Sequence, residues 1–375
     1  MQLSKTQLEE FEQHGFLLLK GALDPSTDLQ PTEQELSDVF DHYAHILMNK
    51  WAPALMEGFT KKPFIERFVI LLGLTEGELF SHLEPQAQIR YQNLSKIPDL
   101  PDLFLPKLFE LSQNNKILDI IENFFGAEIT ASPHTHINFK PAKIHHSIGE
   151  NISQKYKTGK FTSKFADINY GKTRWHTDKQ TRNADARANR MIVAWVPLTE
   201  AYKDNSCLLV VPGSHKESRK KIENDYPNAQ AIECSKGDLV IFDSGLIHAS
   251  TTNISKLEYR LAINFRYVKK GTLSGHYSTP EYVVRSKSTP DKELKNAHLY
   301  FHYFNSAVNF FHQYPETKVH SKNMQEAKKI SLSWQERIHC YNDWLNIEPD
   351  KLNLVDQIKK KIKSIKPLKK LFTFG

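Results

Sequence analysis

Apolar and polar positions change rhythm along this chain near residue 128. Before that point the apolar residues recur at helical spacing. Ser4 to Gln7 and Thr32 to Glu35 each have the S/T-x-x-E/Q form of a capping box, and each precedes an amphipathic stretch, "KTQLEEFEQHGF" and "EQELSDVFDHYAHILMNKW". Further on, "NNKILDIIENFFG" puts Ile117, Ile120, Ile121 and Phe124 on one face, and Gly126 offers a stop. The first third is therefore expected to be mostly helical. From about 128 to 268 the text breaks into short strand-like runs between turn residues: "EITASPHTHINF", "TRWHTD", "RMIVAWVPL", "CLLVV", "GDLVIFD", "GLIHAST" and "YRLAINFRYV". Short strands at this density predict a sandwich or barrel. Residues 141–172 show no clear period and many lysines, which predicts a long loop able to act as a lid. Beyond Pro290 helix-like text returns, including the aromatic-rich "NAHLYFHYFNSAVNFFHQY".

Size and composition narrow the class. At 375 residues, with 39% apolar and 25% charged positions, the chain can bury a sizeable core as a globular protein. The most apolar run, "FIERFVILLGL" at 64–74, is too short and too charged to span a bilayer, and the start of the chain lacks signal-peptide order. Cys207, Cys234 and Cys340 have no C-x-x-C spacing, so neither a disulfide framework nor a thiolate zinc site is indicated, and a reducing, cytoplasmic setting is expected. The net charge of +7 belongs to a tail: residues 351–375 hold eight lysines against Asp356, so the rest sums to zero. Val355, Ile358, Ile362 and Ile365 recur there at helical spacing opposite the lysines. Such a helix either docks its stripe on the protein or makes a peripheral contact with an anionic membrane. Its few interleaved aromatics argue against nucleic acid.

The candidate chemistry starts at "RWHTDKQ", residues 174–180. A lone H-x-D is weak, since 17 histidines, each with roughly a one-in-twenty chance of an Asp two residues on, yield about one match by accident. In a strand, however, His176 and Asp178 would share a face and could reach one ion. His248, in "GDLVIFDSGLIHAS", supplies a third ligand just inside a β element. Two histidines and one carboxylate form a facial triad that leaves three positions of an octahedral iron open for a bidentate co-substrate and dioxygen. Arg260, opening "YRLAINFRY", could grip the far carboxylate of a dicarboxylate chelator. Structural zinc would want four closed ligands, and Mg(II) or Ca(II) more oxygens.

These blocks, with "LSKTQLEEFEQHGFLLLKGAL", "NFKP" and "IVAWVPLTEAYKDNSCLLVVPGSHK", resemble the phytanoyl-CoA dioxygenase family of iron(II)/2-oxoglutarate oxygenases over about residues 1–270. The resemblance implies a mainly β fold with flanking α helices, a double-stranded β-helix (jelly roll, cupin-like). It implies Fe(II) on His176, Asp178 and His248, with Arg260 holding 2-oxoglutarate and with Lys140, Trp195 and Ser250 lining the co-substrate pocket. It further implies hydroxylation of a C–H bond using O2, with 2-oxoglutarate converted to succinate and CO2. An aspartate at 178, where related halogenases carry a small residue, favours hydroxylation. Ser206 departs from the glycine common in relatives. The expected organisation is an oxygenase domain at 1–270, a helical extension packed on it at 271–350, and the basic tail at 351–375.

Between residues 140 and 190 twelve Lys and Arg stand against Glu150, Asp167, Asp178 and Asp185, which points to a small anionic substrate such as an acyl-CoA, a carboxylate or a phosphorylated or lipid-linked metabolite. His134 and His136 share a strand face without a placed third ligand, His215 belongs to a turn, and the pair His145-His146 has only proximity to recommend it. A catalytically silent jelly roll that binds the same ligands is the competing class.

Overall fold

The computed structural model describes residues 2–301 except 80–96, 98–99, 102, 133–134, 157–172, 182–186, 218–221, 273 and 275–280. The tail at 351–375 and most of the aromatic-rich stretch after 296 lie outside the described residues, as does His134.

Helix α1 (Lys5–His14) begins at the expected capping box: Ser4 Oγ accepts from Gln7 N and the Gln7 amide accepts from Ser4 N. It ends at Gly15 in the left-handed region, φ 84°, and strand β1 (Phe16–Leu19) follows. Helix α2 (Gln30–Trp51) starts two residues before Thr32, so the second expected capping box is not one. Glu35 instead accepts the backbone N–H groups of Lys107 and Leu108, capping α4 (Pro106–Leu111), a helix distant in sequence. Between them lies α3 (Phe64–Leu74), and after α4 comes α5 (Asn115–Phe125), stopped at Gly126 as expected.

The run "EITASPHTHINF" forms two strands, β2 (Glu128–Ala131) and β3 (His136–Lys140). Part of the expected long loop is helical: α6 covers Lys143–Tyr156. The remaining strands are β4 (Thr173–His176), β5 (Met191–Pro197), β6 (Leu208–Val210), β7 (Gln230–Ile232), β8 (Leu239–Asp243), β9 (His248–Ser250), β10 (Arg260–Lys269) and β11 (Tyr282–Ser286). Strand β11 lies at the start of the stretch expected as a helical extension packed on the core, and it pairs with β2 at the edge of the main sheet.

All pairings are antiparallel. One sheet runs β1-β8-β5-β10-β2-β11, with β3 also on β10, and the other runs β4-β9-β6-β7. Alternation along the strands sorts the side chains into three layers. Leu17, Ile192, Ala194, Ile241, Ile263 and Phe265 face the helices, where the largest core forms with α2, α3 and α5. Val193, Trp195, Val240, Phe242 and Ala262 point the other way and meet Leu208, Val210 and Ile232 of the smaller sheet. Trp175, Ala249 and Leu209 cover the outside of the smaller sheet with Tyr226. This is the jelly roll, and its interior between the sheets receives the side chains considered next. Among the described residues no helix is long and apolar enough to cross a membrane.

Candidate metal centre

Strands β4 and β9 are neighbours, and His176 stands directly opposite His248 in their register. Their rings lie 4.2 Å apart. Asp178 is not in the strand: it opens a short 3-10 turn, Asp178–Thr181, just beyond the end of β4. The turn is fixed by Gln180 N donating to Thr177 Oγ1 and by Lys179 N donating to Ser244 O at 2.8 Å. The carboxylate therefore reaches the two imidazoles from the strand end rather than from the shared face expected.

The imidazoles are oriented by the same local device. His176 Nδ1 lies 2.8 Å from Arg174 O and His248 Nδ1 lies 3.0 Å from Leu246 O, each a carbonyl two residues back. A carbonyl only accepts, so each Nδ1 carries a hydrogen, and each ring turns its Nε2 toward Asp178. Those Nε2 atoms lie 3.8 and 4.0 Å from Asp178 Oδ1, and the three donors fall within 4.8 Å of one another. Burial, and then the neighbouring His176, pull His248 down to about 4, so it stays neutral. Burial would raise the Asp178 carboxyl, but the Arg266 guanidinium outweighs it and holds the group below the usual carboxylate range. Asp178 and His248 are buried, whereas the His176 side chain is 34% exposed and gives the centre its open side. A two-imidazole, one-carboxylate donor set with one open side fits Fe(II) and does not fit a closed zinc site or an oxygen-rich Mg(II) or Ca(II) site.

Arg260 is buried at the start of β10, and Lys140 faces it across the β3 pairing. The Arg260 Nε donates to Ser206 O at 3.0 Å and Nη1 to Asn138 O at 3.3 Å, and the guanidinium sits 5.6 Å from the Trp195 ring. Among the described residues no carboxylate pairs with it. Burial lowers Arg260 to about 10; burial together with the Arg260 charge lowers Lys140 to about 7. Lys140 Nζ donates to Thr173 Oγ1 at 3.2 Å, and Ser250 Oγ donates to the same oxygen at 2.9 Å. The four residues expected at the co-substrate pocket thus fall into two linked pairs at one end of the inter-sheet space. Ser206, the departure from glycine, has φ 78° and gives its carbonyl to Arg260, while its hydroxyl donates to Thr251 O.

Other candidates stay apart. His136 lies half-buried on β3 opposite Asn264, His215 packs under Gly15, and His145 is buried within α6. Two residues escaped the reading of the sequence. Arg266 donates through Nε to Asp178 Oδ2 at 2.9 Å; it lies six positions after Arg260, on the same strand face, a basic residue inside an apolar run. Asn253, 1% exposed, donates to Lys140 O and Glu258 O and accepts from Ser255 N, tying the end of β3 to the loop before Arg260. No local pattern in the sequence marks Asn253.

Residues 106–261 match the family model described as phytanoyl-CoA dioxygenase. A phytanoyl-CoA dioxygenase domain-containing protein 1 homolog of Dictyostelium discoideum is 22% identical over 284 residues, 68% of this chain and 88% of its own length. An uncharacterized protein of Mycobacterium bovis is 41% identical over 69 residues, 18% of this chain, so the chain spans only 24% of that relative. A solved structure of a non-heme monooxygenase, ThoJ, aligns over 81% of this chain and 98% of its own with 15% identity and a TM-score of 0.46.

Proposed function

We propose that the chain is an Fe(II)/2-oxoglutarate-dependent dioxygenase that hydroxylates a C–H bond of a small anionic substrate; the match of residues 106–261 to the phytanoyl-CoA dioxygenase family model supports this reading. One observation carries this reading: a cluster of two imidazoles and a carboxylate, open on the His176 side, shares the space between the sheets with two buried basic side chains, Arg260 and Lys140. A dicarboxylate suits that pairing, with one end for the ion and the other for the cations.

In this reading His176, Asp178 and His248 hold the iron, and Arg260 and Lys140 neutralise the far carboxylate of 2-oxoglutarate. Bound iron with this co-substrate activates O2, and the oxidation of 2-oxoglutarate to succinate and CO2 drives the substrate hydroxylation. The chain's own residues do the rest. Thr173 and Ser250 orient the Lys140 ammonium, and Trp195 flanks the Arg260 guanidinium. Val193, Val240 and Phe242 keep the wall behind them free of water. The exposed edge of His176 is the side from which substrate approaches. The excess of twelve basic over four acidic residues between 140 and 190 supports an anionic substrate.

Anaerobic titration with Fe(II) and 2-oxoglutarate is expected to give the visible charge-transfer band of the chelate, lost in Asp178→Ala. In air, iron-dependent succinate release is expected from the wild type and to fall at least about 100-fold in His176→Ala and Arg260→Ala. A folded protein that gives neither band nor succinate would instead be a ligand-binding jelly roll.

A further inference from the structure

We propose that Arg266 is a positioning residue that restricts Asp178 to ligation through a single oxygen and so keeps a third coordination position open. The inference rests on the oxygenase reading above, because it concerns the ion that reading assigns. The two carboxylate oxygens of Asp178 have different neighbours. Oδ1 faces the imidazoles at 3.8 and 4.0 Å, whereas Oδ2 accepts a 2.9 Å hydrogen bond from Arg266 Nε. Both side chains of this ion pair are buried, 9% and 5% exposed, so water does not compete for the carboxylate.

The clamp is rigid because its backbone is. Arg266 lies inside β10, opposite Val193 of β5, and its carbonyl accepts from Ser132 N at 2.8 Å. Its side chain crosses from the larger sheet to the turn that ends β4 in the smaller one. Because all three ligands are gripped through the atom that does not face the ion, the centre is oriented by its surroundings rather than by the metal.

Denticity matters to the reaction class. A free carboxylate can place both oxygens on one cation. On a six-coordinate ion, two imidazoles and a two-oxygen aspartate would leave room for a bidentate chelator and nothing more. With Oδ2 held by Arg266, a position remains for a further small ligand.

The experiment uses Mn(II) as the probe, in the 375-residue chain. In the crystal structure of the Mn(II)-loaded wild type, one Asp178 oxygen is expected on the ion and the other on Arg266 Nε. Water-proton relaxation of the Mn(II)·2-oxoglutarate complex is expected to report a bound water in the wild type that Arg266→Leu loses. A residue that merely neutralised a buried charge would change stability and leave the bound water in place. If Arg266→Leu does not fold, the wild-type structure decides alone. Two Asp178 oxygens on the ion, or unchanged relaxation in a folded Arg266→Leu, overturns the inference and leaves the oxygenase reading intact. Failure of Mn(II) to bind at His176, Asp178 and His248 overturns both.

Discussion

Lys140 and Arg260 bring two positive charges face to face across neighbouring strands inside the protein. Burial and the Arg260 charge drop Lys140 from 10.5 to about 7, which states what folding costs at this position. Between pH 7 and 10.5 the unfolded chain holds the Lys140 proton and the folded chain does not, so stability from this group rises with pH across that window. The penalty is largest below pH 7 and vanishes above about 10.5. An anion between the two cations would relieve it. Lys140→Met should therefore raise the melting temperature of the ligand-free protein by several degrees at pH 6, with the gain shrinking toward pH 10. The same variant should bind 2-oxoglutarate about tenfold more weakly, ~1.4 kcal/mol for one charge-assisted hydrogen bond. Calorimetric melts at several pH values and anaerobic titration measure the two halves separately. A stability loss at pH 6 would mean that Lys140 holds the fold together rather than waiting for an anion. At this scale the clustering of His176, Asp178 and His248, and the burial of Arg260 beside Lys140, were legible in the sequence because residue type and spacing along short strands limit which side chains can converge. Arg266, which pairs with Asp178, carries no motif of its own; only the period of two from Arg260 marks it.

Among the helices, the contact between α3 and α6 shows why part of the chain resisted reading. The buried residues of α6 are His145, Gly149 and Ser153, a stripe of small and polar side chains at helical spacing. Hydrophobic periodicity cannot see such a stripe, so residues 143–156 read as loop although they form a helix. The stripe is small because the helices touch closely. A Cβ added at Gly73 would stand 2.6 Å from Gly149 O and 2.9 Å from the Ile152 Cβ. Glycine to alanine inside a helix ordinarily stabilises by about 1 kcal/mol. At Gly73 the sign should reverse, because the new methyl meets backbone and the helices must separate, at a cost of about 1–3 kcal/mol. Urea unfolding of Gly73→Ala is expected to show a lower midpoint with an unchanged slope; a higher midpoint would mean the crossing gives way freely. The second misread feature has the same origin in tertiary structure. The Thr32 to Glu35 spacing fits a capping box, but Glu35 serves α4 through Lys107 N and Leu108 N, while Thr32 Oγ1 donates to Lys107 O. A carboxylate near a helix start satisfies whichever free N–H groups come within reach.

For the molecule as a whole, the strands with apolar alternation announced two facing sheets, but β11 lies outside the stretch over which the family resemblance runs. Its five residues complete the edge of the larger sheet on β2 and bring Tyr282 and Val284, 4% and 3% exposed, into the core against the helices. The Tyr282 hydroxyl lies 2.9 Å from Ser112 Oγ after α4, and Arg285 pairs with Asp119 and Glu122 of α5. Residues 282–286 are thus bound into the helical layer and the sheet together. Tyr282, Val284 and Leu294 together bury apolar surface worth about 5–8 kcal/mol, on the scale of the ~5–15 kcal/mol that holds a whole domain together. Their removal would also leave β2 as a bare edge beside exposed apolar side chains, a template for association. A chain ending at residue 270 should therefore fail to give the near-ultraviolet circular dichroism and cooperative melt of the 375-residue chain, and should aggregate on refolding. Since none of the residues at the metal centre lies beyond 270, a truncated chain that melts cooperatively and still binds Fe(II) would show instead that β11 is an accessory to a core complete without it.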